Sequence, residues 1–548
     1  MASSSKIVQS TQDYSFLRNL NKPYLKIKAG KGNYLETTDG RKVFDATTGA
    51  AVACIGHGNE KVIKAVNDQM NTGIPYLAAA FWRNEVVEEL CQELIKGTGG
   101  KMAGVYLTGS GSEAMEASLK LSRQYFYEQN KQTRRLNFIA RKRSYHGNTL
   151  GALSVSEFHA RQEPYTPYLM PEYVHHISSC YTYRQQQDGE SDHDFISRKA
   201  KELDDKFQEL EPDTVAAFIA EPVVGAALGC APYAPGYLKA MKEVCHKYGA
   251  LFILDEVMCG MGRTGTLHAW QAEDVVPDIQ TNAKGLGGGY QPIASVMLSE
   301  KILKVVKQGT GEFIHGLTYE AMPVQAAAAL RVQQFIREEN LLDNVVKQGA
   351  YLEQGLRAAL GNHPNVGDIR GKGLFWGLEF VENKATKQPF DPKLGIAQKV
   401  LDLAISPPFN MTVYPSTGCA DGHKGDTIIL APAYIVTKEE VDHIVTTVSK
   451  VIRSVFSELS RRKLEIFWGM PLSKVSWRIS WNLFISFDHS LFIFTIHYFL
   501  CSFAISFAHS LFPLLIRYFF HRQKNYKLKK KWIALLYPPP PPNQRGGS

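Results

Sequence analysis

The chain has no pair of cysteines spaced C-x-x-C, no apolar core of signal-peptide length near its start, and almost no acidic residues in its last stretch. Each lack narrows the reading. The eight cysteines (Cys54, Cys91, Cys180, Cys230, Cys245, Cys259, Cys419, Cys501) are scattered. That spacing suits reduced thiols in a cytoplasmic protein better than a disulfide framework or a zinc site, so no metal is expected. Charge of one sign is also missing from most of the chain. The formal net charge is +9, but residues 1–460 hold 49 basic and 51 acidic groups. Residues 461–548 hold 13 Lys/Arg against only Glu465 and Asp488. A nearly neutral body gives no reason to expect a nucleic-acid partner.

What is present is length and order. A chain of 548 residues with 44% apolar content has ample material for a large core and more than one domain. Residues 22–50 carry Gly30, Gly32, Gly40 and Gly49 between short apolar runs, which predicts small strands joined by turns. From about residue 60 to 330 the pattern alternates. Residues 62–70, 85–95, 113–127 and 237–248 have helical spacing, and 104–107, 137–140, 215–220, 250–254 and 293–298 read as short buried strands. Short apolar strands separated by helices predict an α/β fold, a mostly parallel sheet with helices on both faces. Residues 331–460 change character, with long helices over 331–360, the run Gly373 to Phe380 and a last helix near 437–456. A smaller α+β domain is expected there.

In open parallel sheets, ligands bind beyond the carboxyl ends of the strands, and four segments fall at such ends. Thr108-Gly109-Ser110-Gly111-Ser112-Glu113 joins a strand to a helix. Its glycines, free N–H groups and hydroxyls suit a phosphate; alone, such a loop is more often just a turn. Residues 250–256 form an apolar strand ending in Asp255 and Glu256. A buried carboxylate needs a partner, which a pyridinium nitrogen, a salt bridge or a helix cap could each supply. Lys284 follows another strand and precedes Gly285, Gly287, Gly288 and Gly289. A lysine so placed can form a Schiff base once its pKa is lowered, or can be an ordinary surface residue. Arg143-Ser144-Tyr145-His146-Gly147 brings an aromatic face to the same edge, with His146 either a base or a turn-former.

These four segments, in this order, closely resemble the class III (omega-amino) pyridoxal-phosphate-dependent aminotransferases. Further matches are Gly56-His57, Phe218 to Val223, Gly262-Arg263-Thr264-Gly265, His315 to Tyr319 and Ile429 to Pro432, so the likeness runs from about Asn33 to Ser457. The resemblance implies the fold type I architecture of pyridoxal-phosphate transferases. Residues 1–50 would join the small domain, 51–330 form the large cofactor domain, 331–460 the small domain, and 461–548 an atypical tail. It implies pyridoxal 5′-phosphate as cofactor, an amino donor and a keto-acid acceptor as substrates, a ping-pong route and a homodimer.

By the same resemblance Lys284 is the Schiff-base lysine and proton shuttle, and Asp255 keeps the pyridine nitrogen protonated. Tyr145 and Val257 cover the two ring faces, Ser110, Gly111 and Ser112 hold the phosphate, and Thr318 reaches it from a neighbouring subunit. Glu221, Phe81 and Trp82 fall where the family lines the substrate pocket. Three departures stand out: Met258 in place of a glutamine, the run Glu320-Ala321-Met322, and no arginine between Tyr414 and Ala431. Two other readings use the same residues: a mutase or epimerase of this fold, and a non-catalytic scaffold tethered by its tail.

In the tail, Ser490 to Ile516 holds no Asp, Glu, Lys or Arg, and ISFDHSLFIFTIHYFL (485–500) is echoed by ISFAHSLFPLLIRYFF (505–520). About 20 apolar residues suffice to cross a bilayer, so membrane association through 485–520 is one reading. The basic cluster beyond the run would place the enzyme on the wrong side for free thiols. The repeat and the five prolines Pro538 to Pro542 resemble translated non-coding sequence. The favoured expectation is an appendage to a cytoplasmic enzyme.

Overall fold

The site is positioned by one twisted sheet whose strands nearly all run the same way. The structure, a computed structural model, describes residues 14–130 and 134–468. The sheet has seven strands in the order Gly104–Thr108, Ala294–Leu298, Ile279–Asn282, Leu251–Asp255, Val215–Ala220, Asn137–Arg141 and Val174–Ile177. Ala294–Leu298 pairs antiparallel with both of its neighbours; the remaining pairings are parallel. Every residue of Val215–Ala220 and of Leu251–Asp255 is buried. Helices cover both faces, which is why these strands read as unbroken apolar runs rather than alternating ones. Gly111–Glu128 packs its Ala114, Ala117 and Leu121 on one face; Asp192–Glu209 and Tyr237–Lys247 pack Phe195, Leu203 and Met241 on the other.

The strands expected at 104–107, 137–140, 215–220, 250–254 and 293–298 are present within a residue or so of those bounds. The helix expected at 113–127 begins at Gly111, because the Ser110 hydroxyl accepts the Glu113 N–H and caps it. The long helical stretch over 331–360 is two helices, Pro323–Glu338 and Leu341–Leu360, divided where Asn340 turns left-handed at φ +50°.

A second sheet, fully antiparallel, has the order Val366–Lys372, Phe375–Phe380, Asp426–Leu430 and Tyr414–Thr417. Its apolar face shares a core with Leu352 of Leu341–Leu360, Val400 of Ile396–Ile405 and Val451 of the last helix, Lys438–Trp468. The three-stranded sheet Ile27–Lys31, Tyr34–Thr37 and Lys42–Phe44 contributes Phe44 to that same core. The described residues up to Leu464 form one compact unit. Among the described residues no helix is long and apolar enough to cross a membrane. The readings made for 485–520 lie outside the described residues.

Candidate active site

Parallel strands deliver their carboxyl ends to one sheet edge, and five loops meet there. They line a cavity of about 460 Å³ that includes Gly109, Ser110, Gly111, Ser112, Tyr145, His146, Glu221, Asp255, Val257 and Lys284. Residues separated by up to 175 positions in sequence are thus brought into one chamber, as the placement of the four segments at strand ends requires.

Lys284 follows Ile279–Asn282 and holds a left-handed backbone, φ +44°. A non-glycine residue pays for that conformation, which persists only where the surroundings enforce it. Its side chain is enclosed by protein yet open to the cavity. Desolvation lowers its pKa, with Asp255 and Glu221 opposing from nearby. The lysine is therefore biased toward the neutral amine that can act as nucleophile or base.

Asp255, the last residue of its strand, is held from both sides. Its Oδ1 accepts the Val257 N–H at 3.0 Å and the Thr281 hydroxyl at 3.2 Å, and its Oδ2 lies 2.8 Å from His146 Nδ1. His146 is buried and receives further support where its N–H donates to Ser156 Oγ at 2.8 Å. One partner of the buried carboxylate is thus an imidazole, a pairing the sequence did not announce. Its Nε2 is buried and has no hydrogen-bond partner among the described residues.

Glu221 lies at the end of Val215–Ala220, its Oε1 accepting the Tyr145 N–H at 3.1 Å and its Oε2 the Gly225 N–H at 3.0 Å. Burial raises its pKa, partly offset by His146. Tyr145 stands beside it with its ring edge-on to Phe158, centroids 6.0 Å apart.

The Gly109–Ser112 loop sits at the N-terminus of the 18-residue helix Gly111–Glu128. The Ser112 Oγ accepts the Asn148 N–H at 3.0 Å, leaving its own proton free to donate. Two glycines permit the close approaches here. A Cβ on Gly111 would come within 2.9 Å of Val257, and one on Gly147 (φ +146°) within 2.9 Å of the Ser112 backbone.

A pyridoxal-phosphate group fits these residues. A free amine, a carboxylate, an aromatic face with Val257 also on the wall, and a helix N-terminus with hydroxyls converge on one chamber of suitable size. Phe81 and Trp82, expected in the substrate pocket, lie elsewhere, and Thr318, expected to act on a neighbouring subunit, is also away from this chain's own cavity. Thr318 is exposed and does not line the cavity, and Phe81 and Trp82 are 78% and 64% exposed. Trp82 instead borders a second hollow with Tyr106, Glu320 and Ala321. Val52, Gln291 and Pro292 join the cavity wall without a motif that would have announced them. Among the described residues no arginine lines it.

A family model described as aminotransferase class-III matches residues 16–452. An aminotransferase of Gibberella zeae is 48% identical over 429 residues, covering 78% of this chain and 84% of its own length. One from Schizosaccharomyces pombe is 43% identical, covering 82% and 96%. The crystal structure of an omega transaminase from Pseudomonas jessenii in complex with PMP superposes with a TM-score of 0.74 at 30% identity, covering 80% of this chain and 94% of that one.

Proposed function

Because the chain belongs to the class III aminotransferases, we propose that its Lys284 cavity carries out amino transfer with the residue roles that follow. The protein is an aminotransferase of the α/β fold type I and uses pyridoxal phosphate. It moves an amino group from an amine or amino acid to a 2-oxo acid. The bound cofactor supplies an electron sink for the carbon that loses its proton.

The protein's own part is positional and acid–base. Lys284 Nζ would hold the cofactor and, once the donor's amine had taken its place, would be free as the base that takes the proton from the donor's amine-bearing carbon. Asp255, fixed by Val257, Thr281 and His146, would keep the ring nitrogen protonated. Tyr145 and Val257 would cover the ring, while Ser110, Gly111 and Ser112 would hold the phosphate. Glu221 contributes a polar wall on the substrate side.

The convergence of Lys284 and Asp255 in one enclosed chamber carries this reading. A mutase or epimerase would use the same pair, so the test is a half-reaction. The full-length holoenzyme, mixed with an amine donor and no acceptor, should release about one equivalent of carbonyl product per active site, and Lys284→Ala none. Catalytic release without an acceptor, or no release by the unmutated protein, would defeat the assignment.

The active unit in this reading is a homodimer. Thr318, Phe81 and Trp82, all exposed and away from the chain's own cavity, complete the partner's site. The seven described cysteines are free, which suits a reducing, cytoplasmic setting.

A further inference from the structure

Part of the wall of the Lys284 cavity is the tip of a short hairpin, Val223–Val224 paired with Ala231–Pro232. Within the tip, residues 225–230, Ala226 lines the chamber and the others are buried. The tip also governs Glu221, whose Oε2 accepts the Gly225 N–H at 3.0 Å. Two of the tip's carbonyls are held from outside, by side chains of the four-stranded antiparallel sheet. The Ser416 hydroxyl donates to the Ala226 carbonyl, and Arg370 donates to the Leu228 carbonyl through Nε at 3.0 Å and again through Nη2. The two backbones meet closely here, since a Cβ on Gly377 would come within 2.0 Å of the Gly229 carbonyl oxygen. Arg370 is itself aimed from behind. Its Nη1 donates to Glu379 at 2.8 Å and to Asp368 at 3.0 Å, and its guanidinium lies over the Tyr181 ring at 4.8 Å. Glu379 is held independently by the Arg184 Nε at 2.7 Å and by the Tyr181 hydroxyl. A buried ion pair is a poor source of stability, because packed apolar side chains often serve as well. What a planar, forked cation supplies is direction.

We propose that Arg370 is a positioning residue for amino transfer: by holding the Leu228 carbonyl it sets the places of Ala226 and Glu221, and so the width of the Lys284 cavity on its substrate side. The inference rests on the aminotransferase reading above. Arg370 does not line the cavity, and its effect passes from guanidinium to Leu228 carbonyl, along the tip to Ala226, and through the Gly225 N–H to Glu221. Ser416 holds the same tip two residues away and from the same sheet. A wall read by bulk is sensitive to small movements, because one methylene of space is worth about tenfold in discrimination.

The test compares the full-length holoenzyme with Arg370→Met and Arg370→Lys, using pyruvate as acceptor and two donors of different bulk, isopropylamine and benzylamine. The readout is the ratio of kcat/KM for the two donors, which does not depend on how much of a variant is folded. A loosened wall should change that ratio about fivefold or more in Arg370→Met. Lysine keeps a cation beside Glu379 but loses the fork on Leu228, so its ratio should move the same way and less far. The cofactor's absorption spectrum should stay as in the unmutated protein. An unchanged ratio, with or without a general loss of rate, would make Arg370 an ordinary structural residue and overturn the proposal. Should Arg370→Met not fold, Arg370→Lys decides on the same terms. Hydrogen exchange read by mass spectrometry judges the tip without turnover. Exchange of the Gly225 and Cys230 amides should speed up about tenfold or more in Arg370→Met, with Val215–Ala220 unaffected; equal protection in the two proteins overturns the proposal. If the unmutated enzyme uses neither amine, the functional assignment has failed, and the exchange measurement still judges Arg370.

Discussion

Asp255 and His146 are 109 positions apart, and their bond is the part of the site least visible in sequence. The Lys284 and Asp255 motifs could be read because each is a short, local pattern at a strand end. The pairing of one motif's histidine with another's aspartate depends on strands from distant parts of the chain coming side by side. Replacing His146 with Phe removes one anchor of Asp255 while keeping an aromatic of similar bulk. A lost charge-assisted contact of this kind should lower kcat by about 10- to 100-fold, while cofactor remains bound and His146→Asn keeps part of the activity. Steady-state kinetics beside the cofactor's absorption spectrum would check this; unchanged kcat in His146→Phe would remove the histidine from the argument. Glu256, the next residue, behaves differently. Its carboxylate accepts the Ala269 and Trp270 N–H groups at 2.6 and 2.9 Å, yet burial prevails and pushes its pKa from the ordinary 4.5 up to about 8. The folded state then keeps a proton that the unfolded chain releases. Its stabilising contribution is complete below about pH 4.5 and is lost as pH rises through 8. Glu256→Gln cannot ionise, so its melting temperature should fall less than the unmutated protein's between pH 6 and 9, a difference on the order of 1–3 kcal/mol. Parallel melting curves for the two proteins would contradict the shift.

At the scale of elements, the loop Gly109–Ser112 and the segment Tyr145–Asn148 support one another. Gly147 sits against Ser112, with a backbone angle that side chains rarely adopt. Alanine there meets Ser112 at 2.9 Å and is strained in any case. Gly147→Ala should therefore push the two segments apart, cost about 1–3 kcal/mol of stability and weaken cofactor retention. Equilibrium dialysis against pyridoxal phosphate would measure the retention, and unaltered affinity would show that the two loops do not depend on one another. The elements around this pair were legible where apolar runs are uninterrupted, as in Val215–Ala220 and Leu251–Asp255. Several strands escaped, two of them for reasons plain in their composition. Val174–Ile177 has two histidines among its four residues, and Val366–Lys372 carries Asp368, Arg370 and Lys372. Arg370 is buried, donating to Glu379 at 2.8 Å and to the Leu228 carbonyl. A strand whose buried charge is matched by a carboxylate on the next strand and by a distant backbone carbonyl has no apolar signature of its own. The break between the helices Pro323–Glu338 and Leu341–Leu360 falls at one left-handed asparagine, Asn340, in an otherwise continuous helical pattern.

For the whole molecule, the decisive feature is an apolar surface left exposed among the described residues. Phe81, Trp82, Ile314 and Tyr319 are all more than 60% exposed, and the Tyr76 and Tyr319 rings meet edge-on at 6.0 Å. Trp82 shares a hollow with Glu320 and Ala321, so segments 76–82 and 314–321 form one neighbourhood. Soluble monomers seldom leave a large contiguous apolar patch open to water. Thr318 lies within this patch and not in its own chain's cavity, as expected of a residue that serves a neighbouring subunit; across a two-fold axis the same patch would meet itself. The order of the elements and the placing of four segments at strand ends could be read along the chain, but a surface that acts only on another copy could be inferred only through the family resemblance. Sedimentation of the full-length protein should therefore show a dimer. Ile314→Asp combined with Tyr319→Asp places two charges where apolar contact is needed, and should give a folded monomer of normal circular dichroism. If Thr318, Phe81 and Trp82 serve the partner's cavity, that monomer should lose about 100-fold or more in activity. A monomer that keeps full activity would return these three residues to an ordinary surface and leave the Lys284 cavity complete within one chain.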